Sequence, residues 1–349
     1  MAKDISTIVG LDVSDRFSSY CVIDARSGEI LEEGKVMTRR ESLTTQFGAA
    51  PSMRVVIETG THSSWIARLL RGFGHEVLVA DARRLRFIYM SDRKDDEIDA
   101  RMLAKVGRLD PSLLHPVRTR SPETDRALAV LRSRDALVEA RTKLVNSVRG
   151  QTKKMGHALP RISTDAFAAK AREHLPEELR AILEPLLDAV AEITAKIRAY
   201  DAQIETLCRA HPETERLRQV KGVGPVTSLA YVLVIEDPSR FTKSRQVGPY
   251  LGLTSRRDAS GETDRQLGIT HAGDKLLRRL LVGSAHYILG PFGPDTDLRR
   301  WGLVHAARGG GHGKKRVVVA VARRLAVLLH RLWVGGETYR PLREIPATA

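Results

Sequence analysis

Apolar positions over residues 5 to about 110 come in short, β-branched runs separated by turn residues. A run at 5–13 is followed by one at 18–23. The turn Asp24-Ala25-Arg26-Ser27-Gly28, whose glycine can take a positive φ, leads into a third at 29–37. These three segments predict an antiparallel meander. Residues 55–58 read as a short buried strand that ends at the breaker Thr59-Gly60-Thr61, and 76–80 as another. Between them, 64–73 has helical spacing, with Ile66, Leu69 and Leu70 on one side and Gly72 and Gly74 near its end. Helical spacing returns at 96–106 through Ile98, Met102, Leu103 and Val106. The resulting order, βββαβαβα, predicts an α/β, ribonuclease-H-like domain over 1–115.

From about 122 to 210 the pattern changes to long, charged, Ala-rich helices. Leu131, Val138 and Val145 fall at heptad spacing, with Leu128, Leu137, Leu144 and Val148 alongside. Val190, Ile193, Ile197, Tyr200, Ile204 and Leu207 alternate in steps of three and four. Both series predict a coiled-coil seam in a helical insert over 116–212. Pro160, Pro176 and Pro185 predict shorter pieces between them. Such a seam serves either an internal helical hairpin or an oligomerisation arm, and the pattern favours neither. A third, mostly helical region follows over 213–335, with a helix at 316–332 and a tail at 336–349.

Charge narrows the partners. The 349 residues carry 57 Lys or Arg against 42 Asp or Glu, a formal charge of +15. Residues 301–349 alone hold nine Lys or Arg and two Glu. A polyanion, nucleic acid before an anionic membrane, is the expected partner. With 42% hydrophobic residues the chain can build real cores. No apolar run approaches the ~18 residues of a membrane span, and the first residues lack a signal-peptide core. Cys21 and Cys208 stand far apart, which excludes a disulfide framework and a cysteine-based zinc site. The expected setting is a reducing cytoplasm, with nucleoid association when active.

Three constellations carry candidate chemistry. Asp12 and Glu58 each end an apolar strand, where a lone carboxylate is costly. Asp96 and Asp99 are i and i+3 on a predicted helix, and so share a side. Four carboxylates drawn together repel one another unless a hard cation such as Mg²⁺ joins them. Taken singly they read as a turn residue, a salt-bridge partner and a helix cap; at these positions of this strand order they read as one metal site. Second, Lys221-Gly222-Val223-Gly224-Pro225 lies between two apolar helical segments. It predicts a helix-hairpin-helix whose backbone N–H groups grip a phosphate, although an ordinary glycine-capped αα turn has the same look. Third, Ser260 precedes Gly261 in a predicted loop, with Arg256, Arg257, Arg265, Arg278 and Arg279 nearby in sequence. Arg308 to Lys315 reads as a flexible basic loop, adding Lys314, Lys315 and Arg316 to the candidate phosphate contacts.

Together these residues resemble a known family. The acids with the segment Lys94-Asp95-Asp96-Glu97-Ile98-Asp99-Ala100 look like the RuvC-like DEDD domain of Piv-like site-specific invertases and bridge-RNA-guided insertion-sequence recombinases. The Gly-Val-Gly turn followed by Gly-Leu, Ser-Gly, Gly-Ile-Thr, Gly-Asp and Leu-Arg-Arg-Leu resembles that family's C-terminal transposase domain. The resemblance covers roughly residues 6–335. It implies that Asp12, Glu58, Asp96 and Asp99 bind Mg²⁺ and that Ser260 forms a covalent phosphoserine link to DNA. It also implies a structured noncoding RNA that pairs with donor and target DNA, and association as homodimers or homotetramers through the insert. Asp95 and Ser255 depart from the family's usual Thr or Ser and Pro. The Asp96–Asp99 spacing before Ala100-Arg101 is kept, and of the two serines only Ser260 precedes glycine. The competing reading is a RuvC-like nuclease or resolvase that uses the same acids with water as nucleophile and has no need of Ser260. An actin-like ATPase lacks its second phosphate loop here, and a non-catalytic scaffold leaves the four acids unexplained.

Overall fold

The computed structural model describes residues 5–84, 95–261, 263–308 and 310–342. The chain divides into two compact units, 1–121 and 122–349.

The first unit contains β1 (Thr7–Asp12), β2 (Phe17–Asp24), β3 (Ile30–Met37), α1 (Arg40–Phe47), β4 (Arg54–Glu58), α2 (Ser63–Gly72), β5 (Glu76–Ala80) and α3 (Asp96–Leu109). The sheet order is β3-β2-β1-β4-β5. The first three strands form an antiparallel meander, and β1, β4 and β5 run parallel. The predicted order of elements is found, as a five-stranded mixed sheet compatible with a ribonuclease-H-like fold. Side chains alternate between the two faces. Val9, Leu11, Val55 and Ile57 pack with Leu43, Phe47, Ile66 and Leu70 of α1 and α2. Ile8, Val56 and Ala80 pack with Ala100, Leu103 and Ala104 of α3.

The approach of α3 to β1 depends on glycine. A Cβ at Gly10 would lie 2.0 Å from the Ala100 carbonyl oxygen, and one at Gly107 2.4 Å from Val56 Cγ2. Ala100 therefore lies over Gly10, and Gly107 over Val56 and Ile8. So α3 runs antiparallel to β1, and its first turn reaches the carboxyl ends of β1 and β4.

In the second unit, α4 (Pro122–Lys154) and α6 (Glu177–Ala210) pack along each other, with α5 (Phe167–His174) at their far end. Val145, Val148, Phe167, Ala171, Leu183, Leu187 and Val190 make that end's core. Leu128, Leu131, Ile204 and Cys208 at the other end join the main core of the unit. Arg134 meets Asp201 at 2.5 Å, and the buried Arg141 donates to Thr194 at 3.2 Å, tying the two helices. Within the chain, α4 and α6 pack on each other along this seam. Val190, Ile197 and Ile204 are buried as expected, but Thr194 rather than Ile193 completes the inner row.

The main core gathers α7 (Glu213–Arg218), α8 (Pro225–Ile235), α9 (Val247–Tyr250), α10 (Lys275–Leu289), α11 (Asp297–Arg308) and α12 (Gly310–Gly335). Helix α8 is buried from Thr227 to Ile235, and Tyr231 donates its hydroxyl to the Ala326 carbonyl at 2.6 Å. Two expectations need correction. The segment around Ser260 is not a loop: β6 (Ser255–Ser260) and β7 (Thr263–Ile269) form an antiparallel hairpin. Every residue of β6 is exposed, so no apolar alternation marks it in the sequence. Cross-strand pairs hold it instead, with Arg257 to Asp264 at 2.7 Å. The basic segment 310–315 is likewise not a flexible loop but the first turns of α12. Packing of α12 on α11 and α10 outweighs the low helix propensity of its glycines. No helix among the described residues is long and apolar enough to cross a membrane.

Candidate active site and nucleic-acid contacts

Asp12 and Glu58 are the last residues of β1 and β4. Leu11 pairs with Ile57, so the two acids follow at neighbouring positions of parallel strands. They share the parity of Ile8 and Val56, which places both on the sheet face covered by α3. Asp95 caps α3 by accepting the Glu97 N–H at 3.0 Å. Asp96 opens the helix and is exposed; Asp99, one turn on, is buried and immediately precedes the Ala100 that overlies Gly10. The fold therefore brings Asp12, Glu58 and the first turn of α3, which carries Asp96 and Asp99, to one end of the sheet. Among the described residues no group of three or more His, Cys, Asp or Glu side chains is gathered closely enough to hold a metal ion. Asp12, Glu58 and Asp99 each already have a polar or electrostatic partner. The donor set is all hard carboxylate oxygen, the chemistry that suits Mg²⁺.

Two sets of contacts brace this end, and sequence reasoning missed both. Glu33, across the ladder from Cys21, accepts from Arg101 of α3 at 2.7 Å, and Lys35 meets Glu97 at 3.3 Å. The Arg101 hydrogen bond holds the Glu33 carboxyl below its ordinary range, against the opposing effect of burial. Burial, with Glu33 adding to it, pushes the Cys21 thiol up to about 12. On the other side, Trp65 Nε1–H donates to His62 Nδ1 at 3.1 Å. The His62 Nε2–H is then the donor to Asp15, also at 3.1 Å, which ties the turn after β1 to the turn after β4. Glu33 and Arg101, and Asp15 and His62, are too far apart in sequence for any spacing rule to pair them.

In the second unit Ser260 ends β6 opposite Thr263 and is exposed, and Gly261 follows with φ +53°. The Ser255 hydroxyl accepts from Gln266 at 2.8 Å. Three of the five arginines near Ser260 in sequence are committed elsewhere. Arg257 pairs with Asp264, Arg279 with Asp135 and Glu139, and the buried Arg278 donates to the Leu251 carbonyl at 3.1 Å. Arg256 and Arg265 are exposed on the hairpin. Lys221 is exposed beside Gly222, whose φ is +98° and whose Cβ would lie 2.9 Å from Tyr287 Cδ1. Gly224 caps α8 with Pro225 in its first turn. Lys315 and Arg316 are exposed on α12; the side chain of Lys314, and Lys94, lie outside the described residues.

Comparison with known proteins agrees with this layout. A DEDD transposase model of the IS110 type, described as "Transposase", matches residues 9–155. A second, "Transposase IS116/IS110/IS902 family", matches 214–294. The transposase for insertion sequence element IS1111A of Coxiella burnetii is 27% identical over 97% of this chain and 92% of its own length. A "Probable family 20 transposase" of Pseudomonas aeruginosa is 26% identical over 95% and 98%. The transposase for element IS1328 of Yersinia enterocolitica is 27% identical over 80% and 83%. With one model on the acid-bearing unit, the other spanning the Gly-Val-Gly turn and Ser260, and relatives aligned nearly end to end, the chain belongs to the IS110 family of DEDD transposases.

Proposed function

We propose that this transposase cuts and rejoins DNA with Ser260 as nucleophile. Asp12, Glu58, Asp96 and Asp99 hold Mg²⁺, and a structured noncoding RNA guides donor and target choice. The observation that carries the metal assignment is the arrival of Asp12, Glu58 and the first turn of α3 at one sheet end. A divalent cation bound there would neutralise phosphate charge and favour an oxygen nucleophile. The Ser260 oxygen bonds to phosphorus as a DNA oxygen departs with the proton. Attack by the hydroxyl of a new DNA end then releases the serine. Covalent retention conserves the phosphodiester bond, so rejoining needs no ATP. The exposed hairpin suits this role, because it leaves the hydroxyl open to a large substrate. The α7–α8 turn, read as a helix-hairpin-helix, grips the DNA or RNA backbone through Lys221, Gly222 and Gly224. Arg256, Lys314, Lys315 and Arg316 add sequence-independent contacts, joined by Arg257 where a phosphate displaces Asp264 from it. Assembly as a homodimer or homotetramer, in the cytoplasm and on the nucleoid, completes the reading.

The test is a denaturing gel of protein incubated with supercoiled junction DNA, the element's RNA and Mg²⁺. Wild type should give a covalent protein–DNA adduct, and Ser260→Ala none while still binding DNA. Free ends without any adduct would favour the water-using nuclease.

A further inference from the structure

We propose that the second unit carries a groove for a single-stranded stretch of nucleic acid, between α12 and the base of the β6–β7 hairpin. The cavity measures about 2160 Å³ and lies wholly within that unit. Arg316, Arg323 and Arg331 of α12 line it, with Lys243 and Arg245 from the turn before α9 and Arg340 after α12. All six are exposed. None of the six makes an ion pair among the described residues, whereas Arg257, Arg279 and Arg300 elsewhere in the unit each have a carboxylate. Asp297 and Glu337 are the acids in the lining. Unpaired cations concentrated along one cleft repel one another and favour a polyanion there.

The lining also says which form of polyanion. Between the cations lie Trp301, Val319, Val327 and Leu328. Arg324 covers the Trp301 ring at 3.7 Å and His305 stacks against it at 4.2 Å, so what this wall leaves open beneath its basic edge is the aliphatic surface of Val319, Val327 and Leu328. A duplex turns its phosphates outward and hides its base faces, leaving an apolar wall with nothing to cover. A single strand offers phosphates to the edge and unstacked bases to the wall. Arg316 and Arg323 are two helical turns apart, about 10 Å along α12, so the row follows a strand over several nucleotides. Of these residues only Arg316 belongs to the contacts assigned above. The proposal is independent of the Ser260 chemistry.

The experiment uses the full chain and labelled oligonucleotides of about 16 nucleotides, as RNA, single-stranded DNA and duplex DNA, read by fluorescence anisotropy across a salt series. The triple variant Arg316→Gln, Arg323→Gln, Arg331→Gln should weaken single-strand binding at least about tenfold. It should also flatten the salt slope by about two units. Its control is Lys196→Gln, Arg198→Gln, Arg209→Gln, which removes the same charge from exposed positions of α6. The control should stay within about twofold of wild type. Tighter binding of RNA than of DNA would assign the groove to a guide; equal binding would assign it to a displaced DNA strand. Equal losses in the two triples, or a loss confined to duplex, would overturn the proposal. No cleavable junction is present, so failure here leaves the serine mechanism untouched.

Discussion

Gly10 of β1 lies directly beneath Ala100 of α3, so close that a Cβ at position 10 would stand 2.0 Å from the Ala100 carbonyl oxygen and 2.5 Å from the Ala104 nitrogen. Both obstacles are backbone, so neither can swing aside. This contact sets the height of α3 above the sheet, and with it the place of Asp99 relative to Asp12. Gly10→Ala should therefore lift α3, cost about 1–3 kcal/mol or more in urea unfolding and abolish DNA cleavage. Gly72→Ala, where a Cβ meets nothing within 4 Å, should be neutral or stabilise by up to about 1 kcal/mol. Wild-type stability in Gly10→Ala would show that the close approach is not a constraint.

The Glu33–Arg101 contact predicts a pH dependence. Arg101 lowers the Glu33 carboxyl in the folded state. The stabilisation is then complete above the unfolded carboxylate's value near about 4.3 and is lost as pH falls through the lower folded value. Thermal melts should show wild type above Glu33→Gln at neutral pH, with the gap closing at acid pH. A gap that persists or widens in acid contradicts the assignment. Cys21, with its thiol pushed up to about 12 and its side chain buried, should resist iodoacetamide near pH 8 until the protein unfolds.

Tyr231 is fully buried, and its hydroxyl donates to Ala326 of α12. Tyr231→Phe leaves that contact unmade at almost unchanged volume. A loss of about 1–2 kcal/mol in urea unfolding is expected, and no loss would mean the hydrogen bond is not a net contributor.

Much of the first unit is legible in sequence because β1, β4 and β5 are short apolar runs and α2 and α3 each have one clear stripe. β5 falls at its predicted residues, and α3 begins at Asp96 as predicted. The strand-end places of Asp12 and Glu58 are legible because a carboxylate ending an apolar run is conspicuous. The β6–β7 hairpin is not, since Ser255–Ser260 buries nothing and its stability comes from pairs such as Arg257–Asp264. The start of α12 is hidden by Gly310, Gly311 and Gly313, whose low helix propensity is outweighed by packing that only the fold reveals. The bracing pairs Asp15–His62 and Glu33–Arg101 depend on the β-sheet register, which no local pattern encodes.

If Asp12, Glu58, Asp96 and Asp99 share a cation, Mg²⁺ should raise the melting temperature of wild type, and the single Ala variants should lose that response. Asp96 is exposed, so Asp96→Ala should fold normally and still lose cleavage by at least about 100-fold. Removing one carboxylate should also relieve repulsion in metal-free protein. Chelation should stop cleavage by wild type, and Mg²⁺ should restore it. Full activity of Asp99→Ala would show that the quartet is misassigned.

The central claim is that Ser260, rather than water, attacks DNA. Its most direct test is mass spectrometry of the peptide spanning residue 260, from protein stopped during reaction with Mg²⁺ and junction DNA in ¹⁸O-labelled water. The account predicts a nucleotide attached through phosphate to Ser260, rejoined products free of ¹⁸O, no adduct in Ser260→Ala and a much milder effect of Ser255→Ala. An unmodified Ser260 peptide with ¹⁸O in the phosphate of the cut ends would contradict it.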